Sequence, residues 1–172
     1  MTSSEHSANV LGALALRLHD RMSAAVAEAA GEPESGATTL SWMASFAEQP
    51  RVGLLHRMLG LTPSGAVRLV DRLEADGHLR RGPGADGRST SVRLTARGRR
   101  TAQRVSAARL AVLTDALSVL SDEERETLDA LVGRVLVGLK RDATATRFMC
   151  RLCDAQACGH AAGACPVAPA QR

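Results

Sequence analysis

Residues 51–98 read RVGLLHRMLGLTPSGAVRLVDRLEADGHLRRGPGADGRSTSVRLTARG. The first nine of these residues predict a short helix, and Gly60 follows at a position where glycine commonly ends a helix. Thr62 and Pro63 predict a new helix start, because Thr62 is a good N-cap and Pro63 suits the first helical position. The inward-facing positions of this second helix are predicted to be Val67, Leu69, Val70 and Leu73. The segment therefore predicts a helix-turn-helix.

The pattern changes to strand-like alternation directly after the second helix. Residues 78–81 and 89–94 predict two short strands, and the Gly- and Pro-rich residues 82–87 between them predict an exposed turn. A helix-turn-helix followed by a β-hairpin is a winged helix, which is a DNA-binding architecture. The alternative for the two helices alone, a helical hairpin with a solvated basic face, is disfavoured by the hairpin that follows them.

Helical patterns flank this segment on both sides. Apolar residues recur at helical spacing over residues 10–29, and a shorter helix is predicted over residues 39–47. Thr95 can cap the helix after the hairpin, and Ser121 with Glu124 forms a capping-box pattern before the last long helix. The predicted fold is mainly α: a winged helix-turn-helix with a β-hairpin wing, joined to an all-helical dimerisation domain that the N- and C-terminal helices form.

The composition supports a single helical domain. The chain has 172 residues, 45% of them apolar, but only 2% are aromatic, and it contains neither Ile nor Tyr. A core of Leu, Val and Ala favours packed helices over a β-sandwich. Collagen-like, disordered and membrane-spanning classes are excluded, and the polar N-terminus lacks a secretory signal pattern. We therefore expect a cytoplasmic protein without a membrane partner.

Positive charge is concentrated in the middle of the chain. Residues 51–104 contain 12 Arg and 4 acidic residues, a balance of +8, whereas the whole chain carries +4. The flanking segments are therefore mildly acidic. A basic block on a winged helix predicts a polyanionic partner, most simply double-stranded DNA.

Residues 8–147 resemble the MarR family of bacterial transcriptional regulators. The stretches that carry the resemblance are Leu54, Gly60-Leu61-Thr62, residues 67–74, residues 77–81, Asp86-Gly87-Arg88 and residues 92–98. Members of this family are homodimers whose first and last helices intertwine, and their two winged helices bind the halves of a palindromic operator. The resemblance implies the same arrangement here.

The resemblance also implies which residues contact DNA. Major-groove contacts are expected from Ser64, Gly65 and Arg68, and phosphate contacts from Thr62 and Arg72. A minor-groove contact is expected from Arg88 at the wing tip, oriented by Asp86. Gly65 departs from the polar residue usual at its position, and it offers only backbone to a base.

A small aromatic or phenolic effector is a further implication of the resemblance. It would occupy the cleft between the dimerisation and DNA-binding parts, where Trp42 and Phe46 are candidate lining residues. The alternative for both side chains is packing in the core.

All four cysteines lie in the last 23 residues: Cys150, Cys153, Cys158 and Cys165. Intracellular proteins rarely keep structural disulfides, so four closely spaced thiols indicate another role. A closed tetrahedral zinc site is the leading interpretation. An iron–sulfur cluster and a thiol switch without metal remain alternatives. We expect Arg147 and Arg151, which flank the first cysteine, to stabilise thiolates under each interpretation.

These patterns predict a non-enzymatic function, since no catalytic constellation is visible. The expected division is a dimerisation region (8–30 and 100–147), a DNA-binding domain (38–99) and a cysteine-rich tail (148–172). The leading hypothesis is a homodimeric, sequence-specific transcriptional regulator, a repressor modulated by a small ligand, a metal or redox state. The alternative is a metal- or iron–sulfur-dependent redox sensor whose sensing element is the tail.

Overall fold

The structure is a computed structural model that describes residues 2–84, 89–140 and 148–167. The helices and strands in these residues are α1 (Ser3–Ala30), α2 (Glu34–Phe46), α3 (Val52–Leu59), α4 (Pro63–Ala75), β1 (Leu79–Pro83), β2 (Thr90–Leu94), α5 (Ala96–Leu117) and α6 (Asp122–Leu139). The two strands pair antiparallel, with Leu79 opposite Leu94 and Arg81 opposite Val92. The predicted fold class, mainly helical with a two-stranded hairpin, is confirmed.

Local capping interactions place the helix ends where the sequence predicts them. Gly60 ends α3 in the left-handed conformation, with φ at 63°. The Thr62 hydroxyl accepts a hydrogen bond from the Gly65 amide, and Pro63 occupies the first turn of α4. Thr95 caps α5 in the same way. A reciprocal capping box at Ser121 begins α6.

Two helices begin earlier than the sequence predicts. Helix α1 begins at Ser3, because Thr2 and Glu5 form a capping box that extends the helix into the polar N-terminus. Helix α2 begins at Glu34, so Gly36, which precedes the predicted helix of residues 39–47, lies inside α2. A Cβ at Gly36 would lie 2.9 Å from a Glu32 carboxylate oxygen, so this glycine permits a close approach rather than a turn.

The apolar face of α4 differs from the prediction at one position. Val67 is 45% exposed, whereas Ala66 is 1% exposed. The buried stripe is Ala66, Leu69, Val70 and Leu73. These residues follow the helical spacing i, i+3, i+4 and i+7, and Val67 falls outside it.

The core consists of two clusters of buried side chains. The larger one lies inside the winged helix and includes Leu40, Trp42, Leu55, Leu73 and Val92. The core interpretation of Trp42 is therefore the correct one, and Phe46 packs against the same cluster from a half-buried position. The smaller cluster joins α1, α2 and α5 through Val26, Ala30, Ala37 and Val105.

Helix α6 stands apart from both clusters. Across its whole length, which the structure describes, none of its residues is buried. Its apolar side chains Leu131, Val132, Val135, Val137 and Leu139 are all exposed. The rest of the described chain leaves this apolar helix face uncovered, and an exposed apolar surface of this kind is typical of an interaction site. Within the described residues, none of the helices has the length and apolar character needed to cross a bilayer.

Candidate nucleic-acid interface

The start of α4 projects polar and cationic side chains away from the core. Thr62, Ser64 and Arg68 are exposed on the face opposite the buried stripe. The Thr62 and Ser64 hydroxyls lie 3.3 Å apart at the helix N-terminus, where backbone amides favour an anionic group. Among the described residues, Arg68 has no hydrogen-bond or ion-pair partner, so its guanidinium is available to an external ligand.

Gly65 lies half-buried beneath the cap. A Cβ added there would lie 3.0 Å from the Thr62 hydroxyl, so a larger residue would press on the group that caps the helix. The glycine therefore preserves the cap geometry and leaves only backbone at this surface.

Arg72 is held at the far end of α4. Its Nε lies 3.5 Å from the Glu32 carboxylate, and its side chain remains 43% exposed. An arginine in this position can contact a phosphate only in competition with a buried carboxylate. The sequence did not indicate this interaction, because Glu32 lies forty residues away in the chain.

The hairpin lies beside α4 and is tied to the segment before α3. The Val92 amide donates to the Pro50 carbonyl at 3.0 Å, and the backbones of Arg51 and Ser91 form an isolated antiparallel β-bridge. The Ser91 hydroxyl donates to the Pro83 carbonyl across the hairpin at 3.0 Å. The expected wing-tip contacts, Asp86 and Arg88, lie outside the described residues.

Arg81 joins the wing to α4, an interaction that sequence inspection missed. Its Nη2 lies 2.6 Å from Asp71, its Nη1 donates to Glu74, and its backbone amide donates to Glu74 at 2.9 Å. The backbone hydrogen bond from Arg81 is the largest cause that lowers the pKa of Glu74. The sequence does contain a signal for this contact. Asp71 and Glu74 lie three residues apart on the exposed face of α4, and Arg81 follows at the start of the hairpin.

A buried polar cluster lies beneath the end of α4. The side chains of Glu32 and His78 are 5% and 4% exposed, and Glu32 Oε1 lies 3.6 Å from His78 Nε2. Burial raises the pKa of Glu32, with a further contribution from Asp76. Burial also lowers the pKa of His78, with a further contribution from Arg97. The distance is that of an ion pair, but burial disfavours both charges, so we assign His78 as a neutral imidazole near pH 7.

Known structures share this arrangement. A MarR-family protein from Bacillus stearothermophilus superimposes with a TM-score of 0.70 at 22% identity, covering 82% of this chain and 100% of that chain. The transcription regulator of a Staphylococcus aureus multidrug efflux pump gives 0.67 at 17% identity, covering 81% and 100%. The chain has the fold of the MarR-family transcriptional regulators.

A third neighbour of the MarR fold was solved in complex with DNA. It is a MarR-family transcriptional regulator from Streptomyces coelicolor, with a TM-score of 0.61 at 22% identity, covering 83% of this chain and 95% of that chain. No family model matches this sequence, and no curated protein sequence is significantly similar to it. A MarR-family neighbour from Silicibacter pomeroyi is likewise described as a transcriptional regulator.

A polar cavity of about 610 Å³ lies between the winged helix and α5. Arg80, Arg93 and Arg99 line it together with Asp154 and Gln156 of the tail. Arg93 Nη2 bonds to the Gln49 side chain at 2.6 Å, and Arg93 Nε is buried without a hydrogen-bond partner within the described chain. The candidate effector residues Trp42 and Phe46 do not line this cavity.

The four tail cysteines form no disulfide with one another; Cys165 is buried, and Cys150, Cys153 and Cys158 are half-buried. Cys153 is a near neighbour of the Cys150 thiol, and Cys165 is a near neighbour of the Cys158 thiol. Burial, followed by the neighbouring sulfurs, raises the pKa of Cys150 to about 12. Burial and the Cys165 thiol likewise raise the pKa of Cys158 to about 11. Within the described residues, no three Cys, His, Asp or Glu side chains converge in a geometry ready for a metal ion.

Arg151, one of the two arginines expected to stabilise a Cys150 thiolate, contacts Phe148 in the same turn. The Arg151 guanidinium stacks on the Phe148 ring at 4.0 Å and donates to the Phe148 carbonyl at 2.8 Å. The stabilisation of a thiolate by Arg151 stays a prediction. Arg147 lies outside the described residues.

Proposed function

We propose that this protein is a homodimeric, sequence-specific DNA-binding transcriptional regulator that acts in the cytoplasm on an inverted-repeat operator. The observation that carries the proposal is the exposed N-terminal face of α4, with Thr62, Ser64 and Arg68, beside an arginine-rich hairpin. A helix of this kind places its first residues against base edges in the major groove. The DNA complex of the Streptomyces coelicolor neighbour supports the assignment by fold.

The remaining polar residues of the interface have supporting roles in this proposal. Gly65 leaves room for close backbone approach, and Arg72 contacts a phosphate when it turns from Glu32. Asp86 and Arg88 keep the role that the family resemblance implies, contact with the minor groove at the wing tip. Narrow minor grooves attract arginine through their negative potential.

The dimer is supported by the unpartnered apolar surface of the long helices. Val10, Leu11 and Leu14 of α1 are exposed, as are five of the apolar residues of α6. Intertwined packing of α1 and α6 from two copies would cover both surfaces at once. A symmetric dimer also presents two copies of α4, as an inverted repeat requires.

We further propose that the protein acts as a repressor whose DNA affinity responds to a small molecule. Its support is the 610 Å³ cavity, which falls within the size range of ligand pockets and joins the hairpin to α5. Three arginines at its wall favour an acidic ligand. A ligand there would alter the contact between the DNA-binding part and the long helices.

Fluorescence anisotropy with duplex DNA at several salt concentrations tests DNA binding. Each phosphate contact adds about 0.9 to the slope of log affinity against log salt, so the wild type should show a steep slope. Arg72→Ala should reduce that slope, whereas Arg17→Ala, which removes an exposed charge from α1, should leave it unchanged. Salt-independent affinity, or a monomer by light scattering at micromolar concentration, would contradict the proposal.

A second candidate function is a sensor whose sensing element is the cysteine tail. The observation that favours it is that the segment bearing the four cysteines packs onto the fold, where Leu152 joins the smaller core cluster and Asp154 accepts a hydrogen bond from Ser106. In this second function the tail regulates DNA binding, and the protein remains a DNA-binding protein.

A further inference from the structure

Glu32 is fixed in the connection between α1 and α2. Gly31 ends α1 in the left-handed conformation, with φ at 62°, and Pro33 directly follows the glutamate. A residue before proline favours extended backbone, so the chain turns at Gly31 and then runs into α2. The Glu32 side chain is only 5% exposed, so its carboxylate lies inside the fold and not in solvent.

The two oxygens of this carboxylate contact different parts of the winged helix. Oε1 lies 3.6 Å from His78 Nε2, at the turn between α4 and β1, and Oε2 lies 3.5 Å from Arg72 Nε, near the end of α4. Gly36 leaves space for this arrangement, because a Cβ there would lie 2.9 Å from Oε2. One buried carboxylate therefore joins the α1–α2 connection to α4 and to the turn that leads into the hairpin.

The two partners of Glu32 differ in their freedom to move. His78 is buried, its amide donates to the Leu73 carbonyl at 2.8 Å, and its carbonyl accepts from the Thr95 amide at 3.0 Å. The Arg72 side chain is 43% exposed on the surface of α4, so its guanidinium can turn towards solvent. A change in this cluster should therefore move Arg72 and leave His78 in place.

We propose that Glu32 is a positioning residue that restrains Arg72 against the protein, and that a proton taken up by the Glu32–His78 pair releases Arg72 to contact a DNA phosphate. This inference rests on the proposed DNA-binding function. Protonation of Glu32 removes the charge that attracts Arg72. Protonation of His78 instead places a second cation beside the carboxylate, which competes with Arg72 and repels it. Either site of protonation weakens the contact between Glu32 and Arg72.

The surroundings of the pair shift both groups away from their charged forms. Burial raises the pKa of Glu32, and burial lowers the pKa of His78. Four further charged side chains, at the end of α4 and in α5, act on the pair: Arg72, Asp76, Arg97 and Arg104. Asp76 raises the pKa of both groups, whereas the arginines lower it.

The sign of the pH dependence follows from the release of Arg72. Arg72 is one of the cations that lower the pKa of Glu32. Once DNA draws this cation away, the carboxyl group holds its proton more tightly, so the complex binds more protons than the free protein. Coupling between two binding events is reciprocal, and affinity for DNA should therefore rise as the pH falls.

Fluorescence anisotropy with one duplex tests the restraint. Glu32→Gln removes the charge and keeps the size, and it should bind about twofold to fivefold more tightly than the wild type at about pH 7.5, the range for a partly exposed ion pair. The gain should be absent when Arg72→Ala is also present. Glu28→Gln, which removes an exposed carboxylate from α1, is the matched control and should show no dependence on Arg72.

Salt and pH separate this restraint from a merely structural role. Since Arg72 reaches the phosphate in both proteins, Glu32→Gln should keep the wild-type slope of log affinity against log salt, whereas Arg72→Ala should lower it by about 0.9. The gain in affinity between about pH 7.5 and about pH 5 should be smaller in Glu32→Gln and in Arg72→Ala than in the wild type and Glu28→Gln. Equal pH profiles in all four proteins, or a gain from Glu32→Gln that persists with Arg72→Ala, would overturn the proposal.

NMR of the wild type without DNA tests the restraint independently of DNA binding. The Arg72 Nε–H resonance, identified by its absence from Arg72→Ala, should shift as the pH falls, and Glu32→Gln should keep it near its low-pH position throughout. A resonance that responds neither to pH nor to Glu32→Gln would overturn the restraint. If the resonance shifts as expected but no duplex is bound, the proposed function and the release to phosphate are contradicted, while the restraint of Arg72 stands.

Discussion

Replacement of Gly98 by alanine should weaken the junction between the winged helix and α5. Gly98 lies in the first turn of α5, and a Cβ there would lie 2.1 Å from the His78 carbonyl oxygen and 3.1 Å from its carbon. Real Cβ atoms do not approach closer than 3.0 Å, so the backbone must move by 0.9 Å or more. That carbonyl accepts two hydrogen bonds from Thr95, from the amide at 3.0 Å and the hydroxyl at 3.2 Å.

The expected loss of unfolding free energy is about 3 kcal/mol. Overpacking of a buried site costs about 1–3 kcal/mol. Loss of two hydrogen bonds adds about 0.5–1.5 kcal/mol each, and the gain in helix propensity offsets about 1 kcal/mol. Because domains are stable by about 5–15 kcal/mol, the variant should remain folded but lose a large fraction of its free energy of unfolding.

Urea unfolding at fixed protein concentration, followed by far-UV circular dichroism, measures this difference. Gly53→Ala is the matched control, because a Cβ there meets no atom within 4 Å. It should be neutral or stabilise by up to about 1 kcal/mol. A Gly98→Ala variant within about 0.5 kcal/mol of the wild type would behave like a surface substitution and refute the close-approach argument.

Three further predictions concern DNA contact, assembly and pH. Arg68→Ala should reduce affinity for a preferred duplex by about 1–3 kcal/mol and relax sequence preference in competition binding. Arg72→Ala should instead weaken binding to all duplexes alike. Equal losses of affinity from Arg68→Ala on preferred and random DNA would contradict the assignment of Arg68 as a base-reading residue. Val135→Asp should shift light scattering towards the monomer with helix content retained, and an unchanged dimer would exclude α6 from the interface. Burial, and then Arg97, lowers the pKa of His78, so the native state binds fewer protons than the unfolded state, and stability is lost as pH falls below about 6.5. His78→Asn should therefore lose less stability than the wild type between pH 7 and pH 5 in urea titrations, and parallel pH profiles would rule this out.

Features that depend on neighbours in the sequence were predictable. The Gly60 turn, the Thr62 cap and the Ser121 capping box are each set by side chains within about four residues of the helix end. These signals establish the order of helices and the position of the hairpin. The winged helix follows from that order.

Features that depend on distant contacts were not predictable. Gly36 resembles a helix breaker, but it lies inside α2, where an added Cβ would meet the Leu73 side chain of α4 at 3.4 Å. Val67 was assigned inward because it is apolar, although Ala66 occupies the buried position. A small side chain in the core gives a weaker signal than a large one on the surface.

In the candidate interface, too, some features follow from the local sequence and others depend on distant contacts. The exposed residues at the start of α4 follow from helical periodicity, since they lie opposite the buried stripe. Prediction of the Arg72–Glu32 contact, and of the contacts of Arg81 with Asp71 and Glu74, requires the tertiary fold. The partners in these contacts come from other elements of the structure. The return of the tail onto α5 likewise depends on Asp154 meeting Ser106, forty-eight residues earlier.

Selection of duplexes from a random DNA library by the purified protein tests the central claim most directly. A dimer with two α4 helices should enrich an inverted repeat with half-site centres about 10 base pairs apart, or a multiple of that spacing, since half-sites lie one helical turn apart. Arg68→Ala should lose the enrichment at defined positions within each half. A wild-type selection that enriches no sequence, or a single site without internal symmetry, would contradict a dimeric, sequence-specific regulator.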